Sequence, residues 1–196
     1  LSKNKINIKD INHLSHIDII KEILKKFNFQ FTCESLDILD YKKNLKNDED
    51  FIQLHFDEKW MHDDYIDKYI NIEPTVEELK IFIESIIKKT GKKLKITTGI
   101  KTPSVLRQIN ELPKNSIFEI YENLNFSELE KITLNSSLLI SCHGSISHIA
   151  SAIKIKQIDI IDNSYRYDRW TKHFRNYTYL YRKNFKDLSN DILDKL

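Results

Sequence analysis

The sequence predicts an α/β domain built on a parallel sheet, and three observations carry that expectation. Short apolar segments near residues 51–56, 94–98, 117–121, 138–141 and 158–161 alternate with amphipathic stretches of helical period. Two boxes of the Ser/Thr-x-x-Glu kind, Thr75 to Glu78 and Ser127 to Glu130, mark helix starts between those segments. The run LLIS at 138–141 is apolar through its centre, as in a strand covered on both faces.

Each element follows in order. Ser15 can cap a helix running to about Asn28, with Ile17, Ile20, Ile23, Leu24 and Phe27 on one face. Residues 29–32 suit a short extended piece, and the polar run YKKNLKNDE at 41–49 reads as a linker. This divides the chain into an N-terminal helix and linker segment, 1–50, and a domain, 51–196. Within the domain, residues 51–56 form the first strand. Pro74 and the Thr75 box then open a helix carrying Leu79, Phe82, Ile83, Ile86 and Ile87, which Gly91 stops. A strand at 94–98 precedes Pro103, which suits a helix first turn leading into Val105, Leu106 and Ile109. A strand at 117–121, a helix from Ser127 to about Asn135 and the strand at 138–141 come next. A loop with Gly144, a short helix at 147–153, a strand at 158–161 and a final helix at 187–196 complete the pattern. About five strands alternating with helices argue for βαβ units, hence a Rossmann-like parallel sheet with helices on both faces.

Composition narrows the function classes. With 196 residues the chain suits one domain with a real core plus an attached segment. No apolar run approaches the ~20 residues that span a bilayer. The net charge of +2 argues against nucleic acid as a partner. Cys33 and Cys142 cannot make a disulfide framework, which points to a reducing cytosol. The start at Leu1, without a Met or a signal peptide, suggests a piece of something longer. Only 3 Gly are present, so each is worth reading for the backbone freedom it allows.

Ligands of open parallel sheets sit at the carboxyl ends of the strands. The most informative loop there is SCHGSISHIA at 141–150, where a strand ends, Gly144 permits close approach, and small hydroxyl residues lead into a helix. Free N–H groups and the positive dipole end at that helix start make a natural diphosphate site. Lys59, beside Trp60 just past the first strand, is a candidate phosphate counter-charge, and His148 and His143 are candidate donors to phosphate or sugar. His55 falls within the strand alternation and is expected to face the sheet. Cys142, His143 and His148 lack a second Cys-x-x-Cys element, so no metal is expected. Adjacent residues on extended chain point apart, which disfavours a Cys142–His143 nucleophilic pair. The basic, aromatic run YRYDRWTKHFRNY at 165–177 is expected to fold back with its rings packed, Arg166 and Arg169 being the candidates to reach a ligand. An RNA-binding reading of that run fits poorly with the near-neutral charge.

The stretch LLISCHGSISHIASA at 138–152, followed by QIDII at 157–161, resembles the heptosyltransferase family, glycosyltransferase family 9. In that family a strand ending in Asp leads through Thr or Ser, Gly, two variable residues and His into an Ala-rich helix. FIQLHFDEKW at 51–60 is similar to the family's strand, small-residue loop and Lys/Trp element, and ITTG at 96–99 to a strand ending in Thr-Gly. The likeness spans roughly residues 51–162. Cys142 stands near the family's acidic sugar contact, the Gly-to-His spacing is one residue longer, and Pro103 lies where a nucleoside-binding Glu is expected.

The resemblance implies the nucleotide-sugar-binding half of a GT-B glycosyltransferase. Such an enzyme moves a sugar from a nucleoside-diphosphate sugar to a glycan or lipopolysaccharide-type acceptor, without metal or cofactor. Donor-phosphate binding then falls to Lys59, Gly99, His143, Gly144, Ser145, Ser147 and His148, with Cys142 a candidate sugar contact. The catalytic base is expected on an N-terminal domain of the same enzyme, so this chain alone should bind donor without turning it over. A cytoplasmic location with peripheral contact at the inner membrane goes with such an acceptor. Two alternatives share the architecture. A nucleotide-sugar epimerase half needs carboxylates converging on the sugar; a non-catalytic binding module fits the Cys142 and Pro103 departures.

Overall fold

The computed structural model of the chain describes residues 13–29, 50–61, 71–110, 118–163 and 166–196. Among these residues six strands, β1 (Phe51–His55), β2 (Lys93–Thr97), β3 (Phe118–Tyr121), β4 (Leu138–Cys142), β5 (Lys156–Ile161) and β6 (Tyr177–Tyr181), form one sheet. Every pairing is parallel, and the order is β3-β2-β1-β4-β5-β6. The five expected strands are present, and β6 adds a sixth. Its YTYLY sequence sits at the end of the basic, aromatic run; only Leu180 is buried, while Tyr179 and Tyr181 face out at the sheet edge, so the core signal is a single residue.

Among the described residues, seven α-helices connect or flank the strands: α1 (His16–Lys26), α2 (Val76–Thr90), α3 (Ser104–Asn110), α4 (Phe126–Asn135), α5 (Ser145–Ala152), α6 (Asp168–Thr171) and α7 (Phe185–Lys195). Ser15 caps α1, accepting from the Asp18 amide at 3.3 Å, and Ile17 is buried, while Ile20, Ile23 and Phe27 of the expected apolar face are exposed. Thr75 and Glu78 form the expected box at α2, and Gly91 ends that helix at φ 67°, in the left-handed region. The box at α4 is built from Asn125 and Glu128 rather than Ser127 and Glu130. The Asn125 side chain accepts from the Glu128 amide at 3.0 Å, and Glu128 accepts from the Asn125 amide at 2.9 Å. Asn caps as well as Ser, and both patterns coexist in NFSELE, so residue type alone does not choose between them. The extended piece at 30–32, the linker at 41–49, and Cys33 lie outside the described residues. No helix among the described residues is long and apolar enough to cross a membrane.

Alternation along the strands divides the interior in two. Even-numbered side chains (Ile52, Leu54, Leu94, Ile96, Ile140, Ile158, Ile160) join Leu79, Phe82, Ile83, Leu106, Leu188 and Ile192 of α2, α3 and α7 in one apolar layer. The odd-numbered ones include Gln53, His55, Thr97, Ser141, Gln157 and Asp159, all buried. Register places Thr97, His55, Ser141 and Asp159 in one row across β2, β1, β4 and β5, at their carboxyl ends. A small apolar cluster of Leu139, Ile146, Ala150 and Ile155 covers part of this second face, beneath α5.

Ile96 is 0% exposed at the centre of the apolar layer. Ile96→Ala is expected to cost about 2–5 kcal/mol of unfolding free energy in a urea titration, from lost burial plus a cavity.

Candidate functional site

From β1 the chain moves outward through β2 and β3, then crosses back to β4 and runs outward the other way. The loops after β1 and β4 therefore diverge and leave a crevice at the carboxyl ends, the place where ligands of open parallel sheets sit. A cleft of about 400 Å³ opens there. His55, Asp57, Glu58 and Lys59 line it from the β1 loop, Thr98, Gly99 and Ile100 from the β2 loop, Asn123 and Leu124 from the β3 loop, and Ser145 and Ile146 from α5.

The β1 loop is fixed by a chain of polar contacts. Gln53 Nε2 donates to Thr97 Oγ1 at 3.0 Å, and His55 Nδ1 lies 3.0 Å from the same oxygen. With one donor already on it, the Thr97 hydroxyl can give its own proton to Nδ1, which turns a His55 Nε2–H toward Asp57. Asp57 Oδ2 lies 3.5 Å from that nitrogen and 3.2 Å from Lys59 Nζ, and Asp57 Oδ1 accepts from the Lys59 amide at 3.2 Å. Burial pushes the Asp57 carboxyl up, but His55 and then Lys59 outweigh it, and the net pKa is below the ordinary carboxylate value.

Lys59 comes down on Gly144. A Cβ at Gly144 would overlap the Lys59 ammonium group, so the missing side chain is what lets the cation lie on the loop. Backbone strain plays no part, since φ −177° is open to any residue. The Gly144 amide donates to Ser147 Oγ at 3.2 Å, and the Ser147 amide donates to Gly144 O at 3.0 Å. The helix start thus keeps Ser145 and Ile146 as its open amide donors, and both residues line the cleft. Lys59 and the positive end of the α5 dipole act on the same point.

A buried carboxylate holds this turn from behind. Asp159, 0% exposed, accepts from Ser147 Oγ at 2.8 Å and from the Tyr177 hydroxyl at 3.1 Å, and lies 2.6 Å from His143 Nδ1. Burial first, and then the Asp159 charge, push the Tyr177 hydroxyl pKa up, so that proton stays in place. Sequence reasoning did not select Asp57 or Asp159. The available signal was a charged residue at an inward position of an otherwise apolar strand, as in QIDII.

The candidate residues separate into groups. Lys59, Gly99 and Ser145 line the cleft, and Gly144 lies beneath Lys59. Gly99 is where two loops touch: a Cβ there would lie 2.5 Å from Glu58 Oε2 and 3.2 Å from Asp57 Cβ. Ser147 is buried in the Asp159 network. His143 lies on the other side of Lys59, in a narrow cavity shared with Cys142, Tyr167 and Arg182. The Cys142 thiol is buried, pushed up to about 12 by that burial, and reaches Lys59 O at 3.7 Å rather than the cleft. His148 does not line the cleft. Its ring packs against Phe174 at 5.0 Å, His143 at 5.5 Å, His173 at 6.4 Å and Trp170 at 6.5 Å. Trp170 in turn meets His16 of α1 at 3.5 Å between ring centroids. Of the two arginines singled out, Arg166 pairs with Asp168 at 3.0 Å on the surface, and Arg169 Nε donates to Leu14 O at 3.2 Å. No carboxylate stands at Pro103; the acidic side chains of the cleft, Asp57 and Glu58, come from the β1 loop. Among the described residues, no cluster of His, Cys, Asp or Glu could hold a metal ion.

Comparison with known proteins places the fold in a class. No family model and no curated protein sequence matches the chain. Solved structures do. The E. coli heptosyltransferase WaaC, solved with ADP-2-deoxy-2-fluoro heptose, superposes with a TM-score of 0.58 at 12% identity, over 90% of this chain and 54% of that one. The E. coli ADP-heptose lps heptosyltransferase II gives 0.57 at 8% identity, over 85% and 51%. The UDP-GlcNAc 2-epimerase of Methanocaldococcus jannaschii gives 0.51 at 16% identity, over 92% and 46%. The chain spans about half the length of these structures and has a GT-B-type, Rossmann-like α/β fold.

Two outcomes follow for stability. Asp159→Ala leaves the buried Ser147 hydroxyl and the half-buried His143 and Tyr177 without their shared partner and is expected to cost about 3 kcal/mol in chemical denaturation, well above Ser147→Ala. The His148 pKa is lowered to about 4, by burial first and then by His143 and His173, and that of His16 is lowered by burial and Arg169. The fold therefore favours neutral rings, and this contribution is fully present above the ordinary histidine pKa of about 6.5. As pH falls from there toward about 4 the unfolded chain takes up protons that the folded chain resists, and stability drops. His148→Phe should flatten the thermal midpoint across that window; a wild-type midpoint that rises on acidification there contradicts the assignment.

Proposed function

We propose that this chain is the donor-binding half of a glycosyltransferase that moves a sugar from a nucleoside-diphosphate sugar to a glycan or glycolipid acceptor. The observation that carries the reading is Lys59 resting on Gly144 at the start of α5, beside the open Ser145 and Ile146 amides. Those groups gather positive potential at one point of a cleft large enough for a nucleoside. The diphosphate lies against Lys59 and the two amides, and the nucleoside extends toward Thr98, Gly99 and Asn123. When the anomeric carbon is displaced, negative charge grows on the departing diphosphate. Fixed donors there lower the barrier because they need no reorganisation. His143, in the narrow cavity on the far side of Lys59, is the candidate for the sugar end, while His148 stays packed in its ring cluster. Residues 51–196 form the donor domain with 1–50 attached to it, and the acceptor and its activating base belong to a second domain of the whole enzyme. An epimerase half is a weaker reading, because Asp57 is engaged by His55 and Lys59 and Asp159 is sealed behind the turn, which leaves Glu58 as a single carboxylate where a converging pair is needed.

Calorimetry with UDP, ADP and their nucleosides tests the reading. Lys59→Ala is expected to weaken diphosphate binding about tenfold, a loss of about 1.4 kcal/mol, and to leave nucleoside binding unchanged. Gly144→Ala should show the same selectivity at nearly unchanged thermal stability, since only the tip of a flexible side chain must move. Equal losses for nucleoside and diphosphate would rule out a phosphate role.

A further inference from the structure

Arg182 follows β6, and it is 2% exposed. Its Nη2 donates to Trp60 O at 2.5 Å, its Nη1 lies 3.6 Å from Cys142 Sγ, and its guanidinium stands 5.3 Å from the Trp60 ring centroid. Cys142 Sγ in turn reaches Lys59 O at 3.7 Å. Two successive carbonyls of the turn that carries Lys59 are therefore held from β4 and β6, the opposite half of the sheet. Trp60 completes the grip by donating Nε1–H to His55 O at 2.9 Å.

The charge of Arg182 is what a simple staple leaves unexplained. Burying a cation is costly, and natural interiors offset it with a carboxylate. Among the described residues no carboxylate lies within ion-pair distance of Arg182, and its buried Nε has no acceptor. Cys142 is a neutral thiol rather than a thiolate. Arg182 and Lys59 line the same narrow cavity on the far side of the cleft, together with His143 and Asp162.

We infer that Arg182 is a positioning residue that sets Lys59 over Gly144 and adds a second positive charge, which a diphosphate bound at the switch point balances. The inference rests on the donor-binding reading for the identity of the ligand, while the anion site itself is tested without it. Arginine suits the role because one planar group reaches a carbonyl, a sulfur and a ring face together, which a lysine does not.

The experiment measures dissociation constants of the full chain for inorganic pyrophosphate, UDP, ADP, uridine and adenosine, with thermal midpoints alongside. The set of proteins is wild type, Arg182→Met, Arg182→Lys, Lys59→Ala and the Lys59→Ala/Arg182→Met double variant. Arg182→Met is expected to weaken pyrophosphate and diphosphate binding about tenfold with nucleoside binding unchanged, and Arg182→Lys to fall between it and wild type. Lys59→Ala should cost less in the Arg182→Met background than in wild type, since Lys59 has already lost its position. A lowered midpoint with an intact diphosphate-over-nucleoside preference overturns the inference and leaves the donor-binding reading standing, as do fully additive losses in the double variant. If Arg182→Met does not fold, Arg182→Lys decides: an unchanged preference overturns the inference. Wild type that binds pyrophosphate no more weakly than UDP or ADP, with Arg182→Met reducing it, supports the anion site and removes the nucleotide reading. Wild type that binds none of them overturns both.

Discussion

Every feature of the cleft leans on the polar row that crosses the sheet at its carboxyl end, Thr97, His55, Ser141 and Asp159 in register on β2, β1, β4 and β5. Parallel strands buried on both faces are ordinarily apolar throughout, so hydrogen-bonding groups here must find partners among themselves or in the loops just beyond. Thr97 takes up Gln53 and His55, and His55 reaches Asp57 in the next loop. Asp159 takes up Ser147 and His143 beyond β4. The polar row thus helps to set the shape of both loops at the switch point, and the Cys142 and Arg182 contacts to Lys59 O and Trp60 O hold the first of them from the other half of the sheet.

Charge at the site follows from the same arrangement. Asp57 holds the backbone of Lys59 and pairs with its ammonium, and Gly144 leaves room for that ammonium against the α5 start. On the other side, Ser147, which donates to Asp159, accepts from the Gly144 amide, and the next two residues, Ser145 and Ile146, line the cleft. Asp159 lies buried behind the α5 turn, while Asp57 lines the cleft beside Lys59. The division of the sheet into a dry layer under α2, α3 and α7 and a polar layer under α5 separates the work: the first supplies most of the burial, the second supplies geometry.

Much of this was legible in the sequence because it is local. The strand and helix alternation, the Thr75 box, the Gly91 stop and the turn at Gly144 each depend on a few neighbouring residues, and Lys59 stood out by following a strand end. The parts that were not legible depend on which strands are neighbours. Asp159 matters because β5 lies beside β4, and Arg182 because β6 returns the chain to the Trp60 loop. Neither has a motif of its own. Cys142 occupies a position read as a sugar contact, yet its thiol turns inward to Lys59 O, and His148 packs in a ring cluster that includes α6 and α1 partners no local pattern reveals. The shifted box at α4 is the opposite case, in which the local signal was present twice and only the folded backbone selects Asn125.

The most direct measurement is a crystal structure of the chain with a nucleoside diphosphate bound. The account predicts phosphate density between Lys59 Nζ and the amides of Ser145 and Ile146, with the nucleoside running toward Gly99 and Asn123 and the Asp159 contacts unchanged. Phosphates seated instead among His148, His173 and Trp170, with Lys59 still turned to Asp57 and the cleft empty, would contradict it.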